Sequence, residues 1–509
     1  MTTAAQNHHW PAEGLTRVPY WIYADPGIYE EEQARIFQGP TWSFLCLEAE
    51  LPGPNTYRRS NLGAMPVVVT RDKDGALHAF ENRCAHRGSL LVLDEAGEAR
   101  NIICVYHNWS YDLAGNLTGV AFRRGLGGKG GMPAECRPEQ HGPRRLRLET
   151  IGGLVFGTLA DDAPALENYL GREISARIRR VMRAPARLLG GYSQVLHSNW
   201  KLYMENVKDT YHASLLHTFF TTFRLNRLSQ KGGVIVSDCG GHHVSYALAE
   251  EVARQTRSAP SVVVEESVPH TRSAPSVVVE ESVPHTRSAP SPNQTPARRG
   301  LVESNSAGSG QARSRLGEGW GGGSPSLREM RPATATPTPS PSPQGGGEHT
   351  DRVASDEYSG MRAAQEGFGL EAPILLESVD EFGDGIGLQI LSVFPSFVLQ
   401  QTRNSLAVRR LVPQGVDRTE LIWTCFGFAD DDDEMTERRL RQANLIGPAG
   451  YISMEDGAAP AFVQRATTTA PDLLSVVEMG GASTASDDNR VTEAAVRGFW
   501  KAYRAHMGM

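Results

Sequence analysis

Between residues 82 and 109 the chain reads NRCAHRGSLLVLDEAGEARNIICVYHNW, and within it two thiols each stand beside an imidazole. One residue separates Cys84 from His86, two separate Cys104 from His107, and seventeen lie between the pairs. A zinc finger groups cysteine with cysteine and histidine with histidine, about twelve residues apart. Here each arm carries one of each. Two thiolates and two neutral imidazoles suit a [2Fe–2S] centre with sulfur ligands on one iron and nitrogen ligands on the other. Imidazoles in place of thiolates remove negative charge and raise the reduction potential. The competing readings are a zinc ribbon and two unrelated Cys–His neighbours. Each arm is expected in a loop after a strand, with Gly88, Tyr106 and Trp109 shaping and covering the site.

A second constellation lies in NWKLYMENVKDTYHASLLHTFF, residues 199 to 220, which carries His212 and His217. Five residues turn a straight α-helix by about 500°, so these two share a face only if the helix ends or distorts between them. With one carboxylate they would form a 2-His-1-carboxylate triad that leaves metal positions open to oxygen. GPAGYISMEDGAAPAFVQR, residues 447 to 465, offers Glu455 and Asp456. Asp209, three residues before His212, is expected on the same helical face. There it could accept a hydrogen bond from the ring of a metal-bound histidine; the plainer reading is a solvated helix acid.

The surrounding chain must position these groups. Up to residue 160, short alternating runs such as MPVVVTRD, LHAFENR and GLVFGTLA read as a small all-β unit. Beyond it, ALENYLGREISARIRRVM, EMTERRLRQANLIG and EAAVRGFWKAYRAHM read as helices. LQILSVFPSFVLQQTRNSLAVRRLVP and TELIWTCFGFAD read as paired strands. The fold class expected is α+β, with a catalytic domain around an antiparallel sheet. The fifteen-residue segment TRSAPSVVVEESVPH occurs at 256 to 270 and again at 271 to 285, followed by a Gly-, Pro- and Ser-rich stretch. Too few copies are present to build a solenoid. This reads as a disordered insert over 252–352 in a surface loop, where extra length costs little closure entropy.

The chain has 509 residues and a formal net charge of −7. That balance argues against a nucleic-acid partner, which calls for a basic face. No apolar run approaches the roughly 18 residues of a membrane span, and no signal peptide is evident. Six cysteines in so long a chain are no disulfide scaffold, so a cytoplasmic location is expected.

Taken together, CAHRGS with CVYH, NWKLYMENVKDTYHASLLH and GPAGYISMED resemble the large (α) subunits of Rieske non-heme iron ring-hydroxylating oxygenases. The resemblance covers the chain except the insert. It implies an oxidoreductase with a Rieske [2Fe–2S] domain over 41–160, held by Cys84, His86, Cys104 and His107. A helix-grip (START-like) catalytic domain over 161–509 would follow, with residues 1–40 packed on it. It implies His212, His217 and Asp456 as ligands of a mononuclear Fe(II). Asp209 would bridge that site to His107 or His86 of a neighbouring subunit. A small β subunit in an α3β3 hexamer is implied, as is a reductase drawing on NADH or NADPH. The reaction would be dihydroxylation of an aromatic carboxylate with O2 to a cis-dihydrodiol. Within the family, stretches such as GGHHVSY and VRGFWKAYRAHMG look most like members acting on terephthalate, with Ser245, Arg409 and Arg490 as the residues that meet this flat dianion. Arg490, beside Asp487 and Asp488, has a plainer reading as a solvated loop residue. Arg409 and Arg410 are adjacent in a strand, so only one can face a pocket. The alternatives are an anthranilate or salicylate hydroxylase, a non-catalytic Rieske electron-transfer protein, and an oxygenase inactivated by the insert.

Overall fold

A computed structural model describes residues 8–249, 372–447 and 451–509. The insert expected over 252–352 lies outside the described residues.

The first half of the chain is built of small antiparallel sheets. Strands Leu77–Glu81, Met65–Arg71, Thr56–Leu62 and Ala96–Glu98 form one, in that spatial order. Ile102–Ile103, Ser110–Tyr111 and Leu117–Gly119 form a second. A third pairs Arg147–Ile151 with Leu154–Thr158, and the latter with Ser43–Leu47. The two Cys–His arms follow directly on strands Leu77–Glu81 and Ile102–Ile103.

The second half is organised by one seven-stranded antiparallel sheet. Its strands are β1 (Ala186–Leu196), β2 (Gly232–Val236), β3 (His243–Leu248), β4 (Ile386–Val393), β5 (Phe397–Thr402), β6 (Ser405–Pro413) and β7 (Thr419–Phe428), in spatial order β1-β7-β6-β5-β4-β3-β2. Six helices matter for the site: α1 (Pro26–Glu32), α2 (Arg172–Val181), α3 (Trp200–Lys208), α4 (Asp433–Ile446), α5 (Tyr451–Thr467) and α6 (Ala494–Met507).

Every residue of β6 is buried, because both faces of the sheet are covered. Period-2 alternation sorts its side chains. Ala407 and Leu411 pack with Trp200, Tyr203, Phe499 and Trp500 from α3 and α6. Leu406 and Val408 pack with Ile174 and Ile178 of α2, and with Phe44 and Phe156 of the first half. The same alternation splits the arginine pair. Arg409 shares the α3 side, while Arg410 donates to the Ser60 hydroxyl on the opposite side (2.6 Å).

The N-terminal segment belongs to this second core. Val18, Ile22, Tyr23, Ile28, Ile36 and Phe37 are buried against α3 and α6, and burying such side chains is worth about 1.5–3 kcal/mol each. A buried ionic knot adds direction to the packing. Glu32 of α1 accepts from Lys201, from Trp200 Nε1 (2.7 Å) and from the Tyr503 hydroxyl (2.6 Å). One turn along α3, Glu205 accepts from Trp500 Nε1 (2.5 Å) and from the Tyr23 hydroxyl (3.0 Å). These bonds fix the axial position of α3, whose C-terminal end delivers the residues of the site. Among the described residues no helix is long and apolar enough to cross a membrane.

Candidate active site

The two Cys–His arms fold as near copies of one turn. The Cys84 N–H donates to Ser89 O (2.7 Å) and the Gly88 N–H to Cys84 O (2.9 Å). In the other arm the Cys104 N–H donates to Trp109 O (2.9 Å) and the Asn108 N–H to Cys104 O (2.9 Å). The fourth residue after each cysteine is left-handed, Gly88 at φ +72° and Asn108 at φ +55°. Glycine takes that conformation freely, and asparagine more readily than most residues. Cys84 and Cys104 are buried free thiols. The imidazoles of His86 and His107 lie outward, with their Nδ1 atoms 3.1 Å apart. Trp109 stacks on His86 (4.8 Å between ring centres) and Tyr106 lies against His107 (3.8 Å).

The sequence gives no sign of Tyr111, whose hydroxyl accepts from the Ala85 N–H (3.0 Å) and lies 3.2 Å from Cys84 Sγ. Burial opposes ionisation of Cys104, but the N–H groups of Tyr106 and His107 help bring its pKa below the ordinary thiol value. Burial, with the nearby His86 and Arg87, holds His107 below the usual imidazole value. Thiolate and neutral imidazole are the forms that bind metal. A buried sulfur pair and an outward nitrogen pair therefore fit a [2Fe–2S] cluster, which these four residues would hold.

The second site forms where α3 stops. Asp209 is extended (φ −80°, ψ 110°), so the expectation that it shares a helical face with His212 is corrected: the two meet through a turn. Asp209 Oδ1 accepts the Tyr211 N–H (2.7 Å) and Oδ2 lies 3.1 Å from His212 Nδ1. A separate one-turn helix, Ala213–Leu216, then has His212 before it and His217 after it. The helical break that a five-residue spacing requires is thus present.

Asp456 arrives from α5. The helix packs on β1 at Gly457, which faces the Gln194 side chain. Asp456 Oδ1 lies 3.1 Å from His217 Nε2 and 3.5 Å from His212 Nε2. One donor atom from each of His212, His217 and Asp456 lies within 4.8 Å of the others. The outer nitrogen of His217 also has a carboxylate partner, Glu455 Oε2 at 2.7 Å. Asn206, which carries no motif signal, places Nδ2 3.3 Å from Asp456 Oδ1.

Electrostatics shows what this trio would suit. Burial favours neutral imidazole at His212, yet Asp209 and Asp456 outweigh it and push the pKa up to about 10. His217 is raised too, against burial, by Asp456 and Glu455. Asp456, despite burial, is held well below the usual carboxylate range by both histidines. The surrounding carboxylates thus outweigh burial at both imidazoles. A divalent cation would balance those carboxylates, and two imidazoles with one carboxylate suit iron.

A cavity of about 70 Å³ opens beside this trio, lined by Asp209, His212, His217, Asp456, Ser245, Gln400, Trp423, Arg409 and Arg490 among others. Arg409 is 4% exposed. It donates to the Tyr203 hydroxyl (2.9 Å) and to Gln400 Oε1, and lies over the Trp423 ring at 4.6 Å. All those partners are neutral. Arg490 is 3% exposed, not solvated as its acidic neighbours suggest. It donates to Arg227 O (2.7 Å) and Asn226 Oδ1 (2.5 Å), because the 487–490 loop is pinned to β2 by paired Val234–Asp487 backbone bonds.

Known proteins resemble this chain across both of its halves. Residues 41–126 match the Rieske [2Fe-2S] domain, and residues 185–509 match the catalytic domain of the ring-hydroxylating α subunit. The terminal oxygenase subunit alpha 2 of terephthalate 1,2-dioxygenase from Comamonas sp is 44% identical over 499 residues, covering 98% of this chain and 97% of that protein. The anthranilate 1,2-dioxygenase large subunit of Burkholderia cepacia is 38% identical over 504 residues, covering 99% and 96%. The crystal structure of naphthalene 1,2-dioxygenase from Rhodococcus sp. bound to indole has the same fold, with a TM-score of 0.65 at 19% identity over 97% of this chain and 96% of that one. This chain belongs to the α subunits of the aromatic ring-hydroxylating dioxygenases, oxidoreductases that use a Rieske [2Fe–2S] cluster and a mononuclear non-heme iron.

Proposed function

We propose that this α subunit dihydroxylates terephthalate with O2 to a cis-dihydrodiol dicarboxylate. The observation that carries the reading is Arg409, a buried guanidinium on the cavity wall that no carboxylate pairs with among the described residues. A buried charge without a counter-charge is costly, and an arginine in such a place is suited to a bidentate carboxylate ligand. Arg490 serves the second carboxylate. Arg409 springs from β6, the Arg490 side chain lies against Gly232 of β2, and both line the same cavity. Ser245, on β3 between them, offers a hydroxyl. The likeness to a terephthalate 1,2-dioxygenase subunit points the same way.

In this reading Cys84, His86, Cys104 and His107 hold the cluster in a unit spanning 41–160. His212, His217 and Asp456 hold iron in a unit spanning 161–509, with the described part of residues 1–40 packed against it. When bound, the cluster supplies electrons one at a time and the iron supplies oxygen activation. The chain's own residues clamp the substrate's two ends, exclude water and keep both Nε2 atoms turned to the metal. Asp209 bridges to His86 or His107 of a neighbouring α subunit in an α3β3 hexamer, a nicotinamide-dependent reductase feeds the assembly, and six cysteines outside any disulfide suit a cytoplasmic location.

The test is oxygen uptake by iron-loaded protein with β subunit and reductase, offered terephthalate, anthranilate and salicylate in parallel. Uptake with terephthalate, matched by a dihydrodiol dicarboxylate, is expected. Turnover of a monocarboxylate alone would overturn the two-arginine reading. A normal Rieske spectrum with no uptake on any of the three would point to a second iron site or pocket broken by the insert.

A further inference from the structure

Glu455 is the charged group at the site that the reading above leaves without a task. It precedes Asp456 on α5, and its Oε2 lies 2.7 Å from His217 Nδ1. Asp456 Oδ1 stands 3.1 Å from Nε2 of the same ring. Two consecutive residues of one helix therefore bracket both nitrogens of a single imidazole. The ring itself is buried, while Glu455 is half-buried. On the other ligand the work is divided differently. The Nδ1 of His212 is met by Asp209, from the end of α3, and its Nε2 by Asp456, from α5.

A neutral imidazole carries one proton, and whichever nitrogen donates leaves the other lone pair free. A carboxylate on Nδ1 fixes the proton there, turns Nε2 into the metal ligand and increases the ring's basicity. We propose that Glu455 is a positioning residue of the iron site. It sets the tautomer and the ring plane of His217, so that α5 supplies one metal ligand directly and orients a second. The proposal rests on the assignment of His212, His217 and Asp456 as iron ligands. It also separates two roles. Asp209 has to serve both His212 and the neighbouring subunit, whereas Glu455 serves its own iron site alone.

The experiment uses the full complex with its β subunit and compares parent, Glu455→Gln, Glu455→Ala and Asp456→Ala. Ferrous iron is loaded, and its release to an excess of chelator is timed. The ferrous–nitrosyl EPR spectrum is recorded on the same samples, with nitric oxide as the probe of ligand geometry. Visible absorption of the Rieske cluster and the oligomeric state verify folding. Loss of a hydrogen-bonding partner behind a metal ligand costs about 10- to 100-fold in metal affinity. Glu455→Ala is therefore expected to speed iron release by about that factor and to alter the rhombicity of the nitrosyl signal. Glu455→Gln keeps an acceptor without the charge and should fall between. A purely structural role would lower thermal stability without changing the nitrosyl spectrum. Release within about two-fold of the parent together with an unchanged spectrum would therefore overturn the proposal. Failure of the underlying reading looks different: the parent then holds no iron beyond the cluster, or Asp456→Ala holds it as well as the parent does, and both claims fall.

Discussion

The two metal regions of this chain are built on opposite plans. The Cys–His arms are local. Each closes on itself through two backbone hydrogen bonds within six residues, and the paired sheets need only bring the two turns together. The His–His–Asp region is long-range. Its candidate ligands come from either side of a one-turn helix and from a helix some 240 residues later, and they meet because α3, α5 and β1 pack in one arrangement. The first plan leaves its imidazoles near the surface. The second sinks its ligands beside a cavity from which water can be excluded. Local construction tolerates change elsewhere in the chain; long-range construction depends on it.

The largest effects should come from removing ligands, and they should not cross between regions. Cys104→Ala is expected to abolish the Rieske absorption while ferrous iron still binds at the other site. His217→Ala should abolish that iron and all substrate-dependent oxygen uptake while the Rieske EPR signal stays intact. Loss of both signals in either variant would break the idea of independent construction.

Next is the cavity. Removing one partner of a buried, hydrogen-bonded charge pair costs about 2–5 kcal/mol. Arg409→Leu should therefore lower kcat/KM for terephthalate by roughly 30- to 4000-fold, with metal content unchanged. Equal kcat/KM in variant and parent would remove Arg409 from substrate binding.

A third test strikes the scaffold of the long-range region. Glu32→Ala leaves Lys201, whose pKa burial already lowers, buried without its ion-pair partner, at a cost of about 3–5 kcal/mol. Thermal unfolding should show the loss, and iron retention should weaken with it. The Rieske spectrum of the still-folded protein should not change. On the local side, Asn108→Ala asks alanine to take a left-handed backbone at a cost of about 1–2 kcal/mol. Asn108→Gly should be tolerated, so cluster occupancy in the two variants reports on the turn alone.

The smallest effect is in the pH dependence. The folded pKa of His212 is raised, up to about 10 in the metal-free site. The stability it contributes is therefore fully present below its unfolded value near 6.5 and is lost as pH rises through about 10. Chelator-treated protein should lose melting temperature between pH 7 and 10. Iron-loaded protein, whose imidazoles are already deprotonated, should lose less. Parallel melting curves across that range would show that protons do not substitute for the metal.

The spacing of Cys84, His86, Cys104 and His107 is readable along the chain because the turns that hold them are short. Strand and helix periodicities were legible for the same reason, and so was the opposition of Arg409 and Arg410, which follows from strand geometry alone. The break between His212 and His217 could be stated as a requirement. That Asp209 reaches His212 through a turn, not along a helix, could not, because propensity does not say where α3 ends. Tyr111, Asn206 and Gln400 carry no motif, and Arg490 beside two aspartates looked solvated; only the pinning of its loop to β2 buries it. The sequence by itself determined which chemistries were present, since ligand type and short spacing are local properties. Tertiary structure alone decided which carboxylate faces which nitrogen and which arginine is left without a counter-charge. Those outcomes depend on packing between segments hundreds of residues apart.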